Sequence, residues 1–201
     1  MSPRSSNLNN PKFNNNYSKT FKFAFACIFT SLAVVFNFIT IPYIPYAFPL
    51  NLNFSLVALL IIQYYCGFVL WIPSFATYII LSCVFSSFHI GGMVGVLAWF
   101  CAFFVYQLLF EFFLRIKFIS FSTIQLKNLI FDIISFTLIT LITSLWMVLA
   151  NYLFLLYLWG IEWKGSFFGY LFGFNLIQFA VISTFSFLFI VLFARILSKN
   201  F

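Results

Sequence analysis

Residues 54–85 read FSLVALLIIQYYCGFVLWIPSFATYIILSCVF, without one charged side chain. As a single helix this stretch would be about 48 Å long at 1.5 Å per residue. That is well beyond the ~30 Å hydrocarbon core of a bilayer. Gly67 is the predicted break, because glycine adopts backbone conformations that end helices. It divides the stretch into a short helix over 54–66 and a longer one over 68–85. The division fixes how many times the chain crosses a membrane, and so which side each later segment reaches.

The composition supports a membrane setting. Of 201 residues, 64% are apolar and only 6% charged, and 34 are Phe. No soluble domain of this size could bury so much apolar surface. The strict alternation of a transmembrane β-barrel, in segments of ~10 residues, does not occur. The expected fold is therefore an all-α integral membrane protein, a six-transmembrane-helix bundle. Helix 1 runs over 20–41 and ends where IPYIP (41–45) introduces two prolines. A loop, YIPYAFPLNLN (43–53), follows. Helix 4 covers 91–114 and opens at Gly91 and Gly92. Helix 5 covers 128–159, a length that implies tilt or protrusion. Helix 6 covers 168–197. Residues 1–19, MSPRSSNLNNPKFNNNYSK, are polar and rich in Asn and are expected to form a disordered cytoplasmic tail. The apolar run after them is too long for a signal-peptide core and lacks a small-residue cleavage pattern, so it reads as a retained first helix. Residues 20–201 then form a single membrane domain.

Charge placement agrees with six spans. Arg4, Lys12, Lys19 and Lys22 precede helix 1; Arg115, Lys117 and Lys127 lie between helices 4 and 5; Arg195 and Lys199 end helix 6. With six spans all of these fall on one side, and only Lys164, beside Glu162, falls opposite. The excess of Lys and Arg marks the cytoplasmic face, which places both termini there. The net charge of +7 is thus a pattern of orientation. Basic residues scattered over helix ends do not form a nucleic-acid surface.

Enzyme chemistry has little to work with. There are three acidic residues and one His, so no paired-carboxylate or metal constellation can be assembled. No Gly-rich phosphate loop with its Lys is present, so the chain does not itself hydrolyse ATP. Cys27, Cys66, Cys83 and Cys101 lie inside apolar runs with no C-x-x-C pair and read as small packing residues. Transport, if the chain performs it, takes its energy from a partner.

The remaining signal is a set of carboxamides. LFGFNLIQF (171–179) places Asn175 and Gln178 one turn apart on a face of helix 6. Asn151 sits on helix 5 at a similar depth below the outer surface if the two helices pair antiparallel. Each amide offers two donors and two acceptor lone pairs. A cluster suits a neutral heteroaromatic ring edged with carbonyls and ring nitrogens, with Trp99, Tyr152 and Phe174 available to cover its faces. Interhelical hydrogen bonding is the other reading of the same residues. Glu111 and Arg115, four apart, are expected to pair within helix 4. Asp132 is expected to favour the positive end of helix 5. His89 reads as a loop residue, and Gln63 and Gln107 have no assigned role.

The order of these features resembles the S components of energy-coupling-factor vitamin transporters, most closely the riboflavin-specific subunits. The resemblance runs through most of residues 22–197. FACIFTSLAVV with the IPYIP exit is similar to the family's Ala-rich first helix. FPLNLNFSLVALLIIQYYCG resembles its loop-1 segment and very short second helix, with Asn53 in place of the family's Asp. GGMVGVLAWF, LANYLFLLYLWG and FGFNLIQF resemble its helices 4, 5 and 6. The resemblance implies that Asn151, Asn175 and Gln178 contact the ligand, with Leu50 in the covering loop and Trp99 on helix 4. Gln178 stands where riboflavin binders usually carry Lys, Gly173 where they often carry Pro, and Trp99 where they often carry Asn. It also implies partners: a shared transmembrane coupling subunit and two ATP-binding subunits. Ala26 and Thr30, four apart on helix 1, match the small residues on which that subunit packs, and packing within the bundle is the competing reading.

The function expected from all this is capture of riboflavin or a related flavin from outside the cell. The alternatives are another vitamin (thiamine, folate or a deazapurine precursor) on the same fold, or a membrane scaffold subunit without a ligand.

Overall fold

The structure is a computed structural model, and it describes residues 18–38, 41–42, 51–85, 92–116, 119, 126–159 and 165–199. The elements in chain order are α1 (Lys19–Phe38), β1 (Ile41–Pro42), β2 (Asn51–Leu52), α2 (Ser55–Cys66), α3 (Phe68–Phe85), α4 (Gly92–Arg115), α5 (Leu126–Trp159) and α6 (Gly165–Lys199). The disordered tail expected for 1–19 lies outside the described residues except for its last two, which open α1. The Ser18 hydroxyl accepts the Phe21 amide at 3.1 Å, an N-cap that starts the helix one residue earlier than the sequence suggests. α1 also ends sooner, at Phe38 rather than 41. Ile41 and Pro42 leave it and pair antiparallel with Leu52 and Asn51. The expected plain loop is therefore anchored by a short two-stranded ladder.

Gly67 is the break, as the charge-free stretch requires. Its φ of 87° and ψ of 169° lie in a region that side-chain-bearing residues rarely enter. Its amide donates to the Gln63 carbonyl and its own carbonyl accepts from Trp71, so α2 ends and α3 begins with no intervening loop. A β-carbon at this position would meet nothing within 4 Å, so the constraint is in the backbone alone. Gly67→Ala is expected to cost about 1–3 kcal/mol of stability, measured by thermal unfolding in detergent. An unchanged midpoint would show that the turn relaxes freely.

α2 occupies the centre of the bundle. Every side chain from Ser55 through Tyr65 is buried. A helix with no polar face is one that neighbours surround on all sides. The Ser55 hydroxyl donates to the Ala33 carbonyl of α1 at 2.7 Å, and the Tyr65 hydroxyl to the Ile190 carbonyl of α6 at 2.6 Å. These bonds fix antiparallel packing on α1 and place the end of α2 beside the end of α6. Phe29 of α1 meets Phe193 of α6 edge to face. The first turns of α1 and the last turns of α6 therefore share one end of the bundle, the terminal end. The ladder lies at the other, the hairpin end. There, Asn53 donates to the Asn37 side chain at 2.8 Å and accepts the Ser55 amide at 2.8 Å, tying strand exit, α1 and α2 together.

α3 and α4 join through stacked rings. Trp71 stacks on Phe75 (5.2 Å) and on Phe104 (6.2 Å), and Tyr78 meets Phe100 edge to face. The outside of the bundle is apolar: Val69 is 81% exposed and Ile28 65%. Such a surface suits hydrocarbon, not water. Among the described residues, four segments are long and apolar enough to cross a membrane: Lys19–Phe38, Phe68–Phe85, Leu129–Leu153 and Phe168–Phe193. Lys19, Lys22, Arg115, Lys127, Arg195 and Lys199 all belong to the terminal end by their position in the helices. Lys117, Glu162 and Lys164 lie outside the described residues, as do His89, Gly91 and Gly160.

Candidate functional site

α4, α5 and α6 meet in a layer of hydroxyls. The Tyr106 and Ser183 hydroxyls share a hydrogen bond of 2.5 Å, and Ser183 shares another of 2.8 Å with Thr140. One turn nearer the terminal end, Phe136 lies between Phe110 and Phe187. These contacts make α5 antiparallel to both neighbours and fix the register. At 1.5 Å per residue, Gln178, Trp99, Asn175 and Asn151 stand about 8, 10, 12 and 16 Å beyond this layer, towards the hairpin end. The antiparallel pairing of helices 5 and 6 expected from the amides is thus present, with the four residues within about two turns of one another in height.

The side chains differ in burial. Gln178 is wholly buried and Asn175 is 2% exposed, so the amide face of α6 turns into the bundle. The Asn175 amide donates to the Leu171 carbonyl at 2.8 Å, one turn back on its own helix. Asn151 is half-buried, as is Trp99. Trp99 packs on Phe103 (5.4 Å) and on Phe179 (6.3 Å), and Phe179 in turn stacks on Tyr106 (5.8 Å). Trp99, Phe179 and Tyr106 form an aromatic wall between α4 and α6. Phe174 is buried, whereas Tyr152 is 39% exposed. Leu50 lies outside the described residues. A groove of about 410 Å³ also runs between α5 and α6, but Leu176, Ala180 and Thr184 line it and neither Asn175 nor Gln178 does.

The sequence reading missed Phe179 and Tyr106. Their signal was faint, since one Phe among 34 carries no mark. Gln63 and Gln107, left without a role, are both buried where α2 meets α4. The Gln63 amide donates to the Gln107 backbone carbonyl at 2.9 Å and to Glu111 at 3.3 Å. Glu111 also holds Arg115 at 2.9 Å, the pair the four-residue spacing predicts. Asp132 needs correction. It is not in the first turn of α5 and is 2% exposed, within electrostatic reach of Tyr64 on α2. Its place is the interior, not the helix end.

Ala26 and Thr30 face the seam between α1 and α3. Both are buried, and the Thr30 hydroxyl donates to the Ala26 carbonyl at 2.7 Å. They floor a groove of about 380 Å³ whose walls include Cys27 and Ser31 on α1 and Pro73, Ser74 and Thr77 on α3. Among the described residues, no three His, Cys, Asp or Glu side chains lie close enough to hold a metal ion.

No family model matches the chain, and no curated protein does. A solved structure matches over nearly its whole length. It is the S component of a bacterial ECF transporter, 26% identical, with a TM-score of 0.66 over 91% of this chain and 99% of that one. The chain has the fold of an S component. It is a transport protein and not an enzyme. The S-component fold gives the amide face of α6 a setting, since a transport subunit has use for polar groups inside an apolar bundle.

Proposed function

We propose that this chain is the substrate-capturing subunit of an energy-coupling-factor vitamin transporter and binds riboflavin or a related flavin from outside the cell. One observation supports this reading above the others. In a chain with the S-component fold, the carboxamides of Asn175 and Gln178 are buried in the bundle instead of facing lipid, and an aromatic wall of Trp99, Phe179 and Tyr106 spans α4 and α6. Asn151, one turn nearer the hairpin end, and Trp99 complete the polar and aromatic lining. The isoalloxazine ring of a flavin has carbonyl and imide groups along one edge, which carboxamides match as both donors and acceptors. Its faces are apolar and stack on aromatic rings.

In this reading the bundle makes six crossings, and the terminal end, with its cluster of basic residues, is cytoplasmic. The hairpin end faces outward. The α1–α3 groove, floored by Ala26 and Thr30, receives the shared transmembrane coupling subunit, and two ATP-binding subunits drive release. Small side chains permit the close helix approach that such docking requires.

The direct test is the protein as purified. A captured flavin turns it yellow and has its fluorescence quenched. A colourless protein whose unfolding midpoint no vitamin raises would favour a scaffold. Gln178→Lys tests the altered contact. A charged donor makes a stronger hydrogen bond to a ring carbonyl, so flavin binding is expected to tighten about fivefold in a fluorescence titration. Loss of folding in this variant would show that the position does not open onto a polar site.

A further inference from the structure

The α5–α6 seam carries a groove that the proposed flavin site does not use. It runs from Ile133 and Phe187 towards the terminal end to Leu176 towards the hairpin end, about 20 Å along the seam at 1.5 Å per residue. Its rim is open: Ile133 is 53% exposed and Leu141 38%, and Thr137, Ala180 and Thr184 are exposed as well. Its volume of about 410 Å³ over that length leaves a mean cross-section of about 20 Å². A helix with its side chains, about 10–12 Å across, is far too wide to enter it. A single hydrocarbon chain, about 4–5 Å across by the contact distance of its carbons, fits.

Four hydroxyls line the groove, and none needs a partner from outside. Thr137 donates to the Ile133 carbonyl at 2.8 Å and Thr184 to the Ala180 carbonyl at 2.9 Å, each within its own helix. Tyr106, Ser183, Thr140 and the Phe179 carbonyl form one chain of bonds in which each hydroxyl donates once. The groove therefore presents methyl, methylene and ring surface, which selects an apolar occupant. Charge marks the end from which that occupant enters. Lys127 on α5 and Arg195 on α6 stand about 20 and 18 Å from the hydroxyl layer, at nearly one height at the terminal end. That is about 8–9 Å beyond Ile133, near the depth of a headgroup region. The hairpin ends of α5 and α6 carry no basic residue, and Asp132, the one acidic residue of the two helices, is buried. We infer that the groove holds one acyl chain of an anionic phospholipid, whose phosphate lies at the terminal end of the α5–α6 seam.

Electron paramagnetic resonance of labelled lipids tests this. The full chain is reconstituted in phosphatidylcholine vesicles with phosphatidylglycerol or phosphatidylcholine carrying a nitroxide midway along one chain. Phosphatidylglycerol is expected to give the motionally restricted signal with at least about fivefold higher affinity. Ala180→Phe puts a ring into the groove from an exposed position and leaves every basic residue in place. It is expected to remove most of that preference with the unfolding midpoint unchanged. Lys127→Gln combined with Arg195→Gln is expected to remove the preference and keep a restricted signal for both lipids, because the groove still takes a chain. Equal affinity of the two lipids for the wild type would overturn the proposal. So would a preference that survives Ala180→Phe, which would reduce it to general attraction by the basic end. A preference unchanged by the paired Gln substitutions would place the phosphate elsewhere and overturn it as well. If Ala180→Phe fails to fold, Thr184→Phe, also exposed on the rim, carries the same comparison. Wild-type dimers that Ala180→Phe dissociates would overturn lipid in favour of a second copy of this chain.

Discussion

Asn175→Ala is expected to weaken flavin binding by about 1–3 kcal/mol, some 5–150-fold in affinity, without loss of the folded bundle. The size follows from what the substitution leaves behind. A flavin edge buried in the protein and deprived of its amide partner keeps the desolvation cost and loses the hydrogen bond. The fold should tolerate the change because the one hydrogen bond recorded for this amide goes to Leu171 on the same helix. A side chain bonding back to its own helix contributes little to holding α6 against α5. Fluorescence titration measures the affinity and thermal unfolding the fold. Unchanged affinity would remove Asn175 from the site. A fall in stability with no change in affinity would make it a packing residue.

The second large effect is expected at the α1–α3 groove. Ser31→Phe should reduce vitamin uptake by tenfold or more in membranes containing the whole transporter, with flavin affinity unchanged. Ser31 is exposed on the groove wall and its hydroxyl only returns to the Cys27 carbonyl, so the ring can be added without entering the core. A ring in the groove prevents the close approach of a partner helix, and overpacking of this kind costs about 1–3 kcal/mol. Thr30 is less suitable for a bulky change, because it is buried in the seam. Thr30→Ala, which keeps a small side chain in the seam, should leave uptake intact. Normal uptake by Ser31→Phe would place the docking surface elsewhere.

These predictions use residues that were visible in the sequence to different degrees. Gly67 was readable because a charge-free stretch too long for one crossing must break, and glycine is the residue that breaks it. The helix ends of α2 and α3 followed directly. The end of α1 was not readable: two prolines mark where a helix cannot continue, but α1 already ends at Phe38, and Ile41 and Pro42 pair with Leu52 and Asn51. Asn175 and Gln178 stood out because amides are rare in apolar runs, and their inward direction follows once α5 and α6 pair. Asp132 was misjudged because its distance along the chain from the helix start says little about the face it occupies. The central position of α2 depends on contacts between residues more than 40 apart, as between Gln63 and Gln107, and periodicity carries no information about those.

The most direct measurement is an equilibrium titration of the purified wild-type protein with riboflavin, thiamine, folate and a deazapurine precursor in parallel. Saturable quenching by riboflavin alone is the expected result. Saturation by a different vitamin would contradict the assigned ligand, and no saturation by any of the four would contradict the claim that these carboxamides form a capture site.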